Sequence, residues 1–327
     1  MSQNPVHLRL LTWEGFAPDW FVDGFRRETA IELDVEYAGT NDSVIARLAP
    51  AGGSGFDVTT VDHHAGVQLA RLGLIEPLAV GDLPAFATNF EAFKTTWYTH
   101  VEGQYWGLPF AWGSMALVYN PEKITREEAS SWKCMWDPGR RGQLAQYDSP
   151  LEAIFGAALL NGFTNVFSLD RAQLEACKAL LLEQKHLLRG VYGSVEEVVE
   201  WFAGGSIAVA HTWMAAVTQL RRRGVPIGWV VPREGCLAGV LLYYIVKGTQ
   251  HPREAYQLIN YATRPDVCAR LCRDISDSPC NPQVIEHLGE EWRSRLSTDP
   301  GDIDRYMLYQ TVEDYPAYVR TWEAVKA

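Results

Sequence analysis

Between Leu8 and Gly73 the chain alternates apolar runs of strand length with amphipathic stretches, and nothing else in the sequence constrains the fold as tightly. Leu8–Leu11 reads as a buried strand, and Ile31–Tyr37 alternates like a second one. Between them, 18–28 reads as a helix with Trp20, Phe21, Val22 and Phe25 as its apolar stripe. A helix over about 43–48, a turn at Gly52-Gly53-Ser54-Gly55, a strand over 56–60 and a helix over 66–72, stopped at Gly73, complete the pattern. This βαβαβ rhythm implies a parallel sheet with helices on both faces. Ligands of such sheets gather outside the carboxyl ends of the strands. Two of those ends carry unusual chemistry: Trp13-Glu14-Gly15-Phe16 after the first strand and Asp62-His63-His64 after the third.

At 327 residues the chain is long for one domain, and two are expected. "YWGLPFAWGSMALVYNP" contains an extended segment, Met115–Tyr119, beyond which a second α/β region begins. "GQLAQYDSPLEAIFGAALLNGF" reads as strand, loop and helix. Helix 171–184, a helix opening at Ser194, strand 206–210 and helix 213–223 follow. Strand 227–231 leads to another apolar strand, 241–246, and the chain is then mainly helical to 288. Two α/β lobes joined by more than one extended crossing leave a cleft, a favoured place for a small molecule.

Acidic side chains outnumber basic ones, 40 Asp plus Glu against 29 Lys plus Arg, which argues against a nucleic-acid partner, since that footprint is a basic stripe. The one basic run, Arg221-Arg222-Arg223 before Gly224, suits a helix C-terminus. Twelve Trp and fourteen Tyr permit either large cores or a stacking site. No stretch of 18 apolar residues and no leader-like start is present, so the sequence fits a cytoplasmic protein or one whose secretion signal has been removed. The six cysteines show no CxxC and no zinc spacing. Cys177 and Cys268 fall on apolar helix positions, and pairing among Cys268, Cys272 and Cys280 stays open.

Several stretches in order, "TWEGFAPDWFVDGFRRETAIEL", "FDVTTVD", "LGLIEPL", "GLPFAWGSMALVYN", "SSWKCMWDPGRRGQL", "VPIGWVVPREG" and "LINYATRPDV", make the chain resemble the type II periplasmic solute-binding proteins of ABC importers, in the spermidine/putrescine-binding branch. That resemblance implies a two-lobe type II periplasmic binding protein fold of the α/β class. Each lobe would be a mostly parallel sheet flanked by helices, with a cleft between lobes. It would place about 1–113 and 240–288 in the first lobe, and 114–239 and 289–327 in the second. The hinge strands would lie near Trp112–Met115 and Cys236–Val240.

Polyamine binders of this kind use aromatic walls for the methylene chain and carboxylates for the ammonium groups, a division that fits the physics of cations. By resemblance, Trp13 matches the first-strand tryptophan and Phe16 a usual tyrosine, while Glu14 stands beside the acidic position, here Gly15. Asp62 and His64 lie where the family contributes a polar residue and an aromatic. No metal is expected from this histidine pair, because neighbours on an extended segment face opposite ways. Ser149-Pro150-Leu151-Glu152 reads as a capping box with proline at the first helical position. The family has ammonium-binding acids at both ends of it, and here only Glu152 remains, with Asp148 beside the lost one. Ser194, followed by Glu197, repeats the box and aligns with a contact serine; Trp213 matches a tryptophan that lines the cleft. Gly239 and Leu241 replace a tryptophan and an aspartate, so a solute smaller than spermidine, singly charged or zwitterionic, is expected.

The sequence thus points to a periplasmic solute-binding subunit: a monomer without cofactor that takes an amine-bearing metabolite and delivers it to a membrane permease. The same scaffold binding thiamine, an aminophosphonate or ferric ion is the alternative. A thiaminase-like transferase would need Cys236 as nucleophile and a neighbouring base. No GxSxG, HExxH, P-loop or GxGxxG occurs. Tyr243-Tyr244 is the one tyrosine pair a ferric site would recruit, but it falls within an apolar strand.

Overall fold

Strand β1 (His7–Trp13) buries Leu8, Leu10 and Leu11 and turns His7 and Arg9 outward. Helix α1 (Asp19–Thr29) covers it with Phe21 and Phe25, both wholly buried. Each such side chain contributes about 1.5–3 kcal/mol on removal from water. Strand β2 (Glu32–Ala38) pairs in parallel with the whole of β1. After α2 (Asn41–Leu48), strand β3 (Val58–Asp62) pairs in parallel with the other edge of β1, Leu10 opposite Val58.

The computed structural model describes residues 6–49, 55–293 and 306–327, so the expected turn at Gly52-Gly53-Ser54 lies outside the described residues. The chain divides into two units, Met1–Gly113 with Gly239–Ile303 and Ser114–Ala238 with Asp304–Ala327. In the first unit the second half of strand Cys236–Val246 runs antiparallel to β3, Leu241 opposite Asp62 and Ile245 opposite Val58. Helices Pro252–Thr263 and Pro265–Ile275 complete a core that joins Leu10, Phe21 and Phe110 to Tyr243, Leu258 and Leu271.

Several local expectations need correction. Helix α3 (His63–Arg71) starts three residues before the predicted 66. Asp62 ends its strand with extended backbone and caps the helix through the Ala65 N–H, which places both histidines in a helical turn rather than on an extended segment. The strand Gly107–Tyr119 is also much longer than 115–119, because almost all of its residues are buried and need no alternation. Residues after 288 were expected in the second lobe. Arg293 instead donates to the Ile285 carbonyl and Trp292 packs on the first core, so Glu290–Arg293 stays with the first unit.

The second unit has strands Leu144–Tyr147, Leu188–Tyr192 and Val209–Trp213 in parallel. Val209–Trp213 also pairs antiparallel with 115–119 of the long strand. This strand starts later than the expected 206 and runs on to Trp213, which closes it and precedes helix Met214–Arg222 instead of opening that helix. Trp132, Phe155, Leu181, Tyr318 and Trp322 fill one face of this sheet. Val198, Val199, Phe202 and Leu220 fill the other. Among the described residues no helix is long and apolar enough to cross a membrane.

Candidate functional site

In the first unit the parallel strands end together. Trp13 closes β1, and the chain turns so tightly that the Phe16 N–H donates to the Trp13 carbonyl at 3.2 Å. Gly15 makes that turn with φ +86°, a conformation that disfavours any acid at this position. The Trp13 and Phe16 rings meet edge to face at 5.4 Å, and Phe16 in turn meets Phe110 at 6.4 Å. Both are half-buried, and the Trp13 indole Nε1 is buried without a hydrogen-bond partner. Glu14 is exposed.

Asp62 ends β3 and is heavily engaged. Its Oδ1 accepts from the Ala65 N–H at 3.1 Å and lies 2.8 Å from His64 Nδ1, while Oδ2 accepts from Asn41 Nδ2 at 2.5 Å. Burial pushes its pKa up, but the hydrogen bond and the charge of His64 outweigh it, so the carboxyl is held below the ordinary value. His63 is wholly buried; its Nδ1 accepts from the Val240 N–H at 3.2 Å, and its ring packs on Tyr98 and Trp97. No group of three or more His, Cys, Asp or Glu side chains could hold a metal ion among the described residues.

The second unit gathers its candidates more closely. The Ser149 hydroxyl does not cap its helix, as a capping box requires; it donates to the Glu152 carboxylate instead. The other oxygen of Glu152 accepts from the Tyr309 hydroxyl at 3.0 Å. The Tyr309 ring lies nearly parallel to Trp213, 21° between planes and 6.3 Å between centroids. Glu152 is buried, Trp213 half-buried. An acid and two aromatic rings thus stand at the carboxyl edge of the parallel strands, the combination that attracts an organic cation. Tyr309 was not foreseen. It follows strand Tyr306–Leu308, which pairs with Cys236–Ala238, and its amide donates to the Ala238 carbonyl. A tyrosine 157 residues from its acid leaves no signal in spacing.

Ser194 does cap: its hydroxyl accepts from the Glu197 N–H at 3.2 Å, while Glu197 reaches back to the Gly193 N–H rather than to that of Ser194. Asp148 is no substitute for the missing acid, because Trp322 Nε1 and Lys326 Nζ both donate to its Oδ1. Burial raises its pKa, but those donors prevail and hold it low.

The alternatives fare poorly on geometry. Cys236 is buried, its thiol donates to the Met115 carbonyl, and burial pushes it up to about 12, the reverse of an activated nucleophile. Tyr243 and Tyr244 are core residues. All six cysteines are free and buried; the Cys268 and Cys272 sulfurs stand 3.9 Å apart.

Comparison with known proteins gives the family and the fold. The spermidine/putrescine-binding periplasmic protein 1 of Haemophilus influenzae is 25% identical over 295 residues, covering 89% of this chain and 79% of the relative. The putrescine-binding periplasmic protein PotF of Escherichia coli is 24% identical over 347 residues, covering 98% of this chain and 91% of the relative. The solved structure of the substrate-binding protein PotD of a spermidine/putrescine ABC transporter from Streptococcus pneumoniae superposes with a TM-score of 0.87 at 18% identity, covering 98% of each chain. That likeness shows the two-lobe periplasmic binding protein fold. The profile of bacterial extracellular solute-binding proteins matches residues 20–296, and the chain belongs to that family.

Proposed function

We propose that this chain is the solute-binding subunit of an ABC importer, working in the periplasm as a monomer and delivering a small amine-bearing metabolite, cationic or zwitterionic, to its permease. The observation that carries the reading is the Glu152–Tyr309–Trp213 group: a buried carboxylate held by two hydroxyl donors beside a pair of near-parallel rings. A cation over such a face gains roughly 0.5–2 kcal/mol. The ammonium group, stripped of water, needs an acid within reach. Capture by closure of two lobes is the mechanism this reading carries, with Trp13, Phe16 and Asp62 as the first unit's own candidate contacts. Curated relatives named for putrescine and spermidine support the amine class. The replacement of an expected aspartate by Leu241 supports a shorter solute than spermidine.

A thermal-shift screen tests this directly, because a ligand bound only by the folded state raises the melting temperature. Putrescine, spermidine, ω-amino acids, quaternary amines, thiamine, aminophosphonates and ferric ion form the panel. The expected result is a concentration-dependent rise with one of the short amines. A rise with thiamine, phosphonate or iron alone would overturn the reading.

A further inference from the structure

In the first unit Asp277 is a part-buried acid whose carboxyl meets no hydrogen-bond donor and no cation among the described residues. Helix Pro265–Ile275 ends at Ser276 in the left-handed conformation, φ 66°, and the Asp277 N–H closes the turn on the Cys272 carbonyl at 3.1 Å. The next two residues pair with the long strand, Ser278 opposite Trp112 and Pro279 opposite Ala111. That register sets Asp277 against Gly113. A Cβ on Gly113 would stand 2.2 Å from Asp277 Oδ1 and 2.9 Å from Cγ, so the carboxyl fills the space that a side chain at 113 would take. Glycine is required there for close approach, not for its φ.

Asp277 is half-buried, which leaves it reachable, yet among the described residues no donor and no cation meets its oxygens. The titratable groups that feel it are the thiols of Cys272 and Cys280. Both are held neutral, Cys272 by its bond to Cys268 and by burial, Cys280 by burial. Nothing nearby offsets the desolvation of Asp277, and burial pushes its own carboxyl up to about 7. Buried carboxyls are ordinarily paired, so an unpaired one calls for a reason.

Its place in the sheet supplies one. The first unit's chain leaves at Gly113 and returns at Gly239, and strand Cys236–Val246 lies between β3 and the long strand. Leu241 pairs with Asp62 at the carboxyl end of β3, while Thr12, beside Trp13, donates to Thr60 of β3. Trp13, Asp62 and Asp277 therefore mark one edge of this unit; of the acids there Glu14 is exposed, Asp62 is already bonded, and Asp277 is neither.

We propose that Asp277 is the first unit's counter-charge for the solute, accepting its ammonium group and releasing its own proton to the medium as it does so. The inference rests on the amine reading above and adds that capture is linked to a proton. It also assigns the role expected of the missing acid at 241 to a residue that approaches from a different strand.

Calorimetric titration of wild-type protein and Asp277→Asn with putrescine, between pH 6 and 8.5 and in two buffers of different ionisation enthalpy, tests it. In wild type about half a proton should be released per putrescine near pH 7, approaching one at pH 6 and none at pH 8.5. Affinity should rise by up to about tenfold from pH 6 to pH 8. Asp277→Asn should bind at least tenfold more weakly at pH 8, with proton release lost. The wild-type proton count needs no variant, so a variant that failed to fold would leave the test standing. Putrescine binding with no proton release, or equal affinity in a folded Asp277→Asn, overturns the role of Asp277 and leaves the amine reading intact. No binding of any short amine by wild type overturns both.

Discussion

In the second unit the candidate acid is fully bonded before any solute arrives; in the first, Asp62 is bonded and Asp277 is not. Glu152 takes hydroxyl donors on both oxygens, which fixes its carboxylate beside the Trp213 and Tyr309 rings. Asp62 is fixed as well, but by its own helix cap, Asn41 and His64. Asp277 has neither kind of support. The difference teaches where selectivity and affinity would reside. A preorganised acid binds a cation without the entropic cost of ordering itself. An unsatisfied acid instead raises the free energy of the empty site, and a solute that satisfies it recovers that penalty.

The largest effect should come from Glu152→Gln, which keeps the shape and removes the charge that Ser149 and Tyr309 hold in place. Hydrogen bonds to charged groups are worth about 1.5–3 kcal/mol, so affinity for a cationic amine should fall roughly 10- to 150-fold, read by calorimetry. An unchanged affinity would break the contrast between the units at its stronger end. Trp213→Ala and Trp13→Ala come next, each weakening binding by about tenfold or more, from lost cation–aromatic attraction and lost apolar contact. Unchanged affinity in both would remove the aromatic walls from the site.

The end of β1 was legible because a tryptophan at the carboxyl end of a parallel strand is both a pattern and a position, whereas the strand that closes on Trp213 was expected to stop at 210 with Trp213 opening the next helix. The order of strands and helices was legible for the same reason: burial writes its period into the sequence. Asp62 was found as a candidate, but not its commitment to a helix beginning at His63, because cap geometry depends on backbone angles that the letters do not carry. Tyr309 and Asp277 were missed for a further reason. Each reaches its place through pairing of distant segments, Tyr306–Leu308 on Cys236–Ala238 and Ser278–Pro279 on Ala111–Trp112. Side chains delivered by such pairings have no local signature.

A smaller effect separates the two acids of the first unit by the sign of their pH dependence. The Asp62 carboxyl is held low, so its contribution to stability is present above the unfolded value and lost as pH falls through the folded one. Asp277 is raised to about 7, so it destabilises the protein above neutrality, and stability returns as pH falls from 7 toward the ordinary aspartate value of 3.8. Without ligand, Asp277→Asn should therefore be the more stable protein at pH 8, by about 1 kcal/mol once partial exposure is discounted, and equal to wild type near pH 4. Urea denaturation at the two pH values reads the difference. A variant less stable than wild type at pH 8 would mean that Asp277 has a structural partner, and the contrast with Glu152 would vanish.

The smallest effects come from two serines with the same local pattern and different partners. Ser194 satisfies the Glu197 N–H at its helix start, whereas Ser149 leaves that task and holds Glu152. Ser194→Ala should cost about 1 kcal/mol of stability, the usual price of a lost cap, with affinity unchanged within twofold. Ser149→Ala should do the reverse: with no cap bond to lose, stability should move by less than about 0.5 kcal/mol. Glu152 would lose one of its two hydroxyl donors, and amine affinity should drop about threefold to tenfold, less than a full charged hydrogen bond because the Tyr309 donor still holds the carboxylate. Denaturation and calorimetry on the same two preparations give the four numbers. Should Ser149→Ala lose stability instead of affinity, the acid of the second unit would be part of the scaffold, and the solute's counter-charge would have to be sought in the first unit alone.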